Sequence, residues 1–185
     1  GRTESKADIR QGSNQEKEIW EVLPLSFIER DGKEIMIKTF RGLLGDDTQN
    51  RIRLSTKKGK IGYKIINFHI IGNNPGAGAQ DSVMKIYKVS QEGSVDGLVD
   101  FSDGNLLGVA YWTTHEAGAS TTGEPPIIIF EQEIFNQDIY ITHEDVGANA
   151  QRCNYYLELE TINLSDNAAA VSTLRDIRLN PQVGA

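Results

Sequence analysis

Between Phe135 and Leu164 the chain reads FNQDIYITHEDVGANAQRCNYYLELETINL, and its apolar residues fall on alternate positions. Ile139 and Ile141 point one way, Tyr140 and Thr142 the other. After a polar loop, Tyr155, Leu157 and Leu159 share one face while Tyr156, Glu158 and Glu160 share the opposite one. On a helix, a period of two would scatter these side chains around every face. On a strand it gathers them on one side, so the stretch predicts two half-buried β-strands.

The same pattern recurs upstream. IWEVLPLSFIE and EIMIKTF flank Asp31-Gly32, a hairpin signal because both turn residues tolerate positive φ. Pro24 removes a ladder donor and belongs at an edge or bulge. RIRLST predicts a short strand, and KKG a tight turn into the long strand KIGYKIINFHII. In that strand Ile61, Tyr63 and Ile65 alternate, then Ile66, Phe68 and Ile70 take over, which calls for a bulge or two buried faces. VMKIYKVS, LLGVAYWTT and IIIFEQEIF complete the strands, and residues 98–101 could add a short one within the long connection 91–105. Past Leu164, Ala168, Val171, Leu174 and Ile177 recur every third residue behind Ser165 and Asp166, predicting a capped C-terminal helix.

About nine short strands with one short C-terminal helix and no βαβ alternation define an all-β fold: a single antiparallel β-sandwich, jelly-roll-like, over residues 19–185. If successive strands reverse direction, the turns at 31–32, 57–59 and 136–137 share one end of the sandwich with the connection 91–105. The loops 42–49, 73–82, 116–125 and 144–152 share the other end, where binding residues are expected.

Residues 1–18 have a different composition. One large aliphatic residue, Ile9, stands among balanced charges, which predicts a flexible arm that orders only against a partner. The start carries no apolar signal region and no run is long enough for a membrane helix, so the expectation is synthesis in the cytoplasm with no membrane partner. A net charge of −7 opposes direct binding of nucleic acid. Against that background, no acid occurs between Asp47 and Asp81, where Arg51, Arg53, Lys57, Lys58, Lys60 and Lys64 cluster. With RIRLSTK extended, Arg51, Arg53 and Lys57 share a face. The stretch reads either as a solvated edge strand or as a docking patch for an acidic neighbour, another copy of the chain included.

Other chemistry is sparse. His69, His115 and His143 lack metal-ligand spacing, with His69 expected in the long strand and the other two at strand ends near solvent. Asp96, Asp100 and Asp103 form the densest acidic loop but lack the calcium-loop pattern, so a solvated turn is expected. Cys153 has no local partner and reads as a buried, inert thiol. No nucleophile elbow or phosphate loop occurs, and neither catalysis nor a cofactor is expected. Tyr111 and Trp112, beside a Gly-rich loop, are the candidate glycan platform, with core packing the commoner fate for tryptophan.

FRGLLGDDTQNRIRLSTKKGKIGYKI, VDGLVDFSDGNLL, FNQDIYITHED and NYYLELETINLSDNAAAVSTLRDIR together resemble small β-rich virion-associated proteins of marine phages and uncultured environmental viruses. The resemblance spans about residues 19–179 and brings no site residues with it. It implies a virion structural protein: a capsid, decoration or fibre subunit that forms homo-oligomers and contacts other virion proteins, with its place in the shell or on the outer surface. A carbohydrate-binding module is the alternative.

Overall fold

The computed structural model describes residues 26–30, 33–76, 78–114, 126–130, 132–147 and 149–179. The arm expected at residues 1–18 lies outside them. Nine strands and one helix follow in order: β1 (Ser26–Arg30), β2 (Lys33–Leu44), β3 (Thr48–Ile52), β4 (Ile61–Gly72), β5 (Gln80–Tyr87), β6 (Leu106–Thr114), β7 (Ile127–Ile129), β8 (Ile139–Asp145), β9 (Cys153–Asn163) and α1 (Asp166–Leu179).

Two antiparallel sheets form, ordered β1-β2-β9-β4 and β3-β8-β5-β6-β7. The pairings nest. β2 lies on β9, β3 on β8, and β5 on β6. Between them, Tyr63 of β4 exchanges backbone hydrogen bonds of 2.7 and 3.0 Å with Phe135, just ahead of β8. A long hairpin rolled across two sheets gives this order, the jelly-roll arrangement of a β-sandwich. The core is drawn from both inner faces: Tyr63, Ile65, Phe68, Leu157 and Leu159 meet Met84, Ile86, Ile139 and Ile141.

Alternation places these side chains as expected. Tyr155, Leu157 and Leu159 are buried on the inner face of β9, which sits between β2 and β4. The phase change in β4 is a bulge: the register with β9 slips between Ile65 and Asn67, so Tyr63 and Ile65 before it and Phe68 and Ile70 after it all reach the core. Helix α1 starts behind Ser165, whose Oγ accepts the Ala168 N–H at 3.3 Å as an N-cap.

Four local expectations change. The strand expected over IIIFEQEIF stops at Ile129, and the two strands of the 135–164 stretch, β8 and β9, are central strands of opposite sheets. The loop expected at 42–49 is mostly strand, since β2 runs to Leu44 and β3 begins at Thr48 around a tight turn with Asp47 at φ 52°. The strand expected over 51–56 ends at Ile52, because Leu54 and Ser55 turn their N–H groups onto Asp138. Residues 98–101 form no strand.

That last point preserves the assignment of ends for the described connections; the turn at 31–32 and the loop 116–125 lie outside the described residues. At the loop end, the Asn73 N–H bonds the Arg152 carbonyl at 3.0 Å and Asn149 bonds the Ala79 carbonyl at 3.1 Å. At the turn end, the buried Asn136 Nδ2 donates to the Gly59 carbonyl at 3.0 Å and to Thr173 of α1 at 2.9 Å. The connection 88–105 starts at the turn end but does not stay there. It folds back over the outer face of the β5–β8 sheet, pinned by the buried Lys85, whose Nζ donates to Asp96 at 2.8 Å and to the Leu98 carbonyl at 2.7 Å.

Candidate functional site

The basic stretch is divided by its own ion pairs. Arg51 at the end of β3 donates from Nε to Asp138 at 2.7 Å, Lys60 pairs with Asp166 at 2.6 Å, and Lys64 pairs with Glu160 at 3.1 Å. Asp138 is buried. Its burial pushes the carboxyl up, but the Ser55 and Leu54 N–H groups and Arg51 outweigh that and hold it below the usual range. Arg53, Lys57 and Lys58 are exposed and have no ion pair among the described residues. They do not share an extended face with Arg51, because the chain leaves the strand at Ile52 and turns at Gly59, φ 59°. The free positive charge is therefore a smaller group on the β3–β4 connection.

Tyr111 and Trp112 fall on opposite faces of β6, as neighbours in a strand must. Tyr111 lies on the outer face, where its hydroxyl bonds Asp81 at 3.0 Å and burial raises its pKa. Trp112 packs inward against the main core. The two rings do not form one platform. The indole Nε1 is buried with no hydrogen-bond partner among the described residues, and it sits against Gly72, where an added Cβ would meet it at 2.8 Å.

His143 was expected near solvent and is instead fully buried. Position 143 continues the inward phase of Ile139 and Ile141, so the alternation itself carried the signal. Nδ1 lies 2.7 Å from the Gly45 carbonyl, which can only accept, so Nδ1 carries the proton and Nε2 accepts from the Ser82 hydroxyl at 2.9 Å. Ser82 in turn accepts from Gln80 Nε2 at 2.7 Å, and that amide also bonds the Arg152 carbonyl at 2.9 Å. Burial lowers the His143 pKa against the opposing pull of the Gly45 carbonyl, Asp46 and Asp145. An imidazole accepting from a serine hydroxyl is a nucleophile-activating contact. Ser82 and His143 are sealed in the core, however, and neither lines either of the clefts described below. The network acts as a lock that ties the β2–β3 turn and the start of β9 to the centre of the opposite sheet. Cys153 beside it is buried, with its thiol pushed up to about 12, so it carries no thiolate at neutral pH.

His69 lies in β4 and is exposed; His115 lies outside the described residues. The acidic loop is spent on its own turns: Asp96 holds Lys85, Asp100 accepts the Ser102 N–H, and Asp103 accepts that of Asn105. Among the described residues no group of three or more metal-ligating side chains converges.

What the molecule does present is apolar surface. The folded-back connection lies on the outer face that carries the buried cluster Val83, Tyr87, Leu106 and Val109, against which Tyr111 and Phe130 pack. Its own outward residues are bare: Leu98 is 77% exposed, with Val99 and Phe101 beside it. Phe101 packs edge-on against Phe130 at 5.7 Å and borders a cleft of 470 Å³ that reaches Ile129 and Glu133. Helix α1 exposes Val171 and Leu174 one turn apart. On the other sheet, Leu43, Ile71 and Tyr156 are exposed around a second cleft of 720 Å³. Set against known protein families and against curated protein sequences, the chain matches none.

Proposed function

We propose that the chain is a virion structural protein, a self-associating capsid, decoration or fibre subunit. The observation that carries this reading is the bare apolar ridge Leu98-Val99-Phe101 on a connection that is itself firmly pinned through Lys85. A fixed segment that lies on one apolar face and displays apolar residues of its own is suited to being covered in turn by a neighbouring subunit. The exposed Val171 and Leu174 add area of the same kind. The resemblance of residues 19–179 to virion-associated proteins gives the assembly its setting.

Arg53, Lys57 and Lys58, without an ion pair among the described residues, contribute the electrostatic part of the contact with an acidic neighbour, and a chain of net charge −7 supplies such a neighbour in its own copies. Residues 1–18 are assigned a contact with an adjacent subunit on composition alone. Overall acidity favours a position away from the genome. Light scattering after size exclusion, with and without residues 1–18, tests this. A defined oligomer that shrinks on truncation supports both the assembly and the role of the arm; a monomer in both forms rejects the reading.

A further inference from the structure

The outer face of the β2-β9-β4 sheet carries an arrangement that self-association does not use. Register places Arg41 of β2 and His69 of β4 directly opposite Tyr156 of β9, one on each side. In the next row Leu43 and Ile71 flank Asn154 in the same way. These six side chains line the 720 Å³ cleft, with Trp112 at its wall. The tyrosine ring is half-exposed and held in place, because its hydroxyl donates to Glu158 at 2.6 Å. Arg41 and His69 are exposed, and neither has a hydrogen bond or ion pair among the described residues.

We propose that this cleft binds an anionic saccharide, with the sugar ring on Tyr156 and its carboxylate on Arg41. Each part of the site matches one part of that ligand. A fixed aromatic face with two aliphatic side chains in the neighbouring row suits the C–H face of a pyranose. A guanidinium with no partner among the described residues presents its fork for two parallel bonds to a carboxylate, and on an acidic molecule such a cation selects for an anion. The His69 ring and the Asn154 amide supply donors and acceptors for hydroxyls. The volume lies within the range of small-ligand sites, roughly 300–1,000 Å³.

The alternatives fit less well. An extended peptide would need a free strand edge, whereas the floor of this cleft is β9, paired on both sides. Nucleic acid would need a run of cations that this face lacks. A second copy of the chain would meet a concave surface flanked by an arginine that has no ion pair among the described residues. The site is separate from the ridge at Leu98–Phe101 and stands whether or not the chain assembles.

The test is calorimetric titration of the full chain with D-glucuronate, N-acetylneuraminate and D-glucose, repeated for Arg41→Gln and Tyr156→Ala, with a melting curve for each variant. The expected result is binding of the two anionic sugars, with glucose at least about tenfold weaker. Arg41→Gln removes that preference, and Tyr156→Ala removes binding of all three, at unchanged melting temperature. No heat from either anionic sugar overturns the proposal, as does a preference that survives both substitutions. An oligomer that dissociates on Tyr156→Ala would also overturn it, since this face would then be covered by another copy. If Tyr156→Ala fails to fold, Arg41→Gln alone decides, because Arg41 is exposed and makes no contact the fold needs.

Discussion

The two faces of the β5–β8 sheet solve opposite problems. On the inner face Ser82, Met84, Ile86, Ile141 and His143 are all fully buried, and each polar member has a partner within hydrogen-bond distance. On the outer face Val83, Lys85 and Tyr87 are buried, Lys85 pins the chain's own connection there, and the problem of covering apolar surface is passed outward to Leu98, Val99 and Phe101. A buried polar group without a partner costs about 1–3 kcal/mol, so the inner face has little freedom to change. An exposed leucine costs the fold almost nothing. The inner face therefore reports on stability and the outer one on association.

Substitutions sharpen that contrast, beginning with the largest effect. Asp138→Ala strips acceptors from the Leu54 and Ser55 N–H groups and from Arg51, and should cost about 3 kcal/mol in urea unfolding. Because the folded pKa of Asp138 is depressed, its contribution is present above the ordinary carboxylate pKa of 3.8 and disappears as pH falls through the lower folded value. Wild type should thus lose this brace progressively as pH falls below 3.8, a loss that Asp138→Ala should lack.

His143→Gln should cost about 1–2 kcal/mol at neutral pH and change the pH profile. The folded pKa of His143 lies below its ordinary 6.5, so the unfolded chain takes up the proton first. Stability from the neutral ring is complete above that pH and falls away as acid is added. Melting temperature should drop between about pH 7.5 and about pH 5.5 in wild type and stay flatter in His143→Gln. An unchanged slope in the variant would show that another group governs the acid limb.

Smaller still, Lys60→Ala breaks an ion pair with both partners largely in water and should move stability by less than about 0.5 kcal/mol. Leu98→Ser should be equally silent in a melting curve. A loss above about 1 kcal/mol from Leu98→Ser would mean that the ridge belongs to the fold and would erase the contrast between the faces.

The strands were legible because alternation is local. The inward phase of Tyr155, Leu157 and Leu159 and the phase change in β4 could be read from residue types alone, as could the helix behind Ser165, whereas the register shows that the phase change is a bulge rather than two buried faces. The pairing was not legible. Nothing in Ile139–Asp145 or Cys153–Asn163 says that they belong to opposite sheets, since that depends on how the hairpin rolls. The basic stretch looked uniform because its acids, Asp138, Glu160 and Asp166, lie far along the chain. His143 is the instructive miss: its phase pointed inward, but its polarity suggested solvent. Only the Gly45 carbonyl and the Ser82 hydroxyl, both supplied by tertiary structure, make burial affordable. The Arg41–Tyr156–His69 row is legible only once the registers of β2, β9 and β4 are known.

The most direct test of assembly is the solution mass of the full chain beside a Leu98→Ser/Phe101→Ser variant, measured by light scattering over a range of concentrations. The account predicts a defined oligomer for wild type and a smaller species for the variant, with circular dichroism unchanged. A wild-type monomer at every concentration, or an oligomer indifferent to both substitutions, would contradict it.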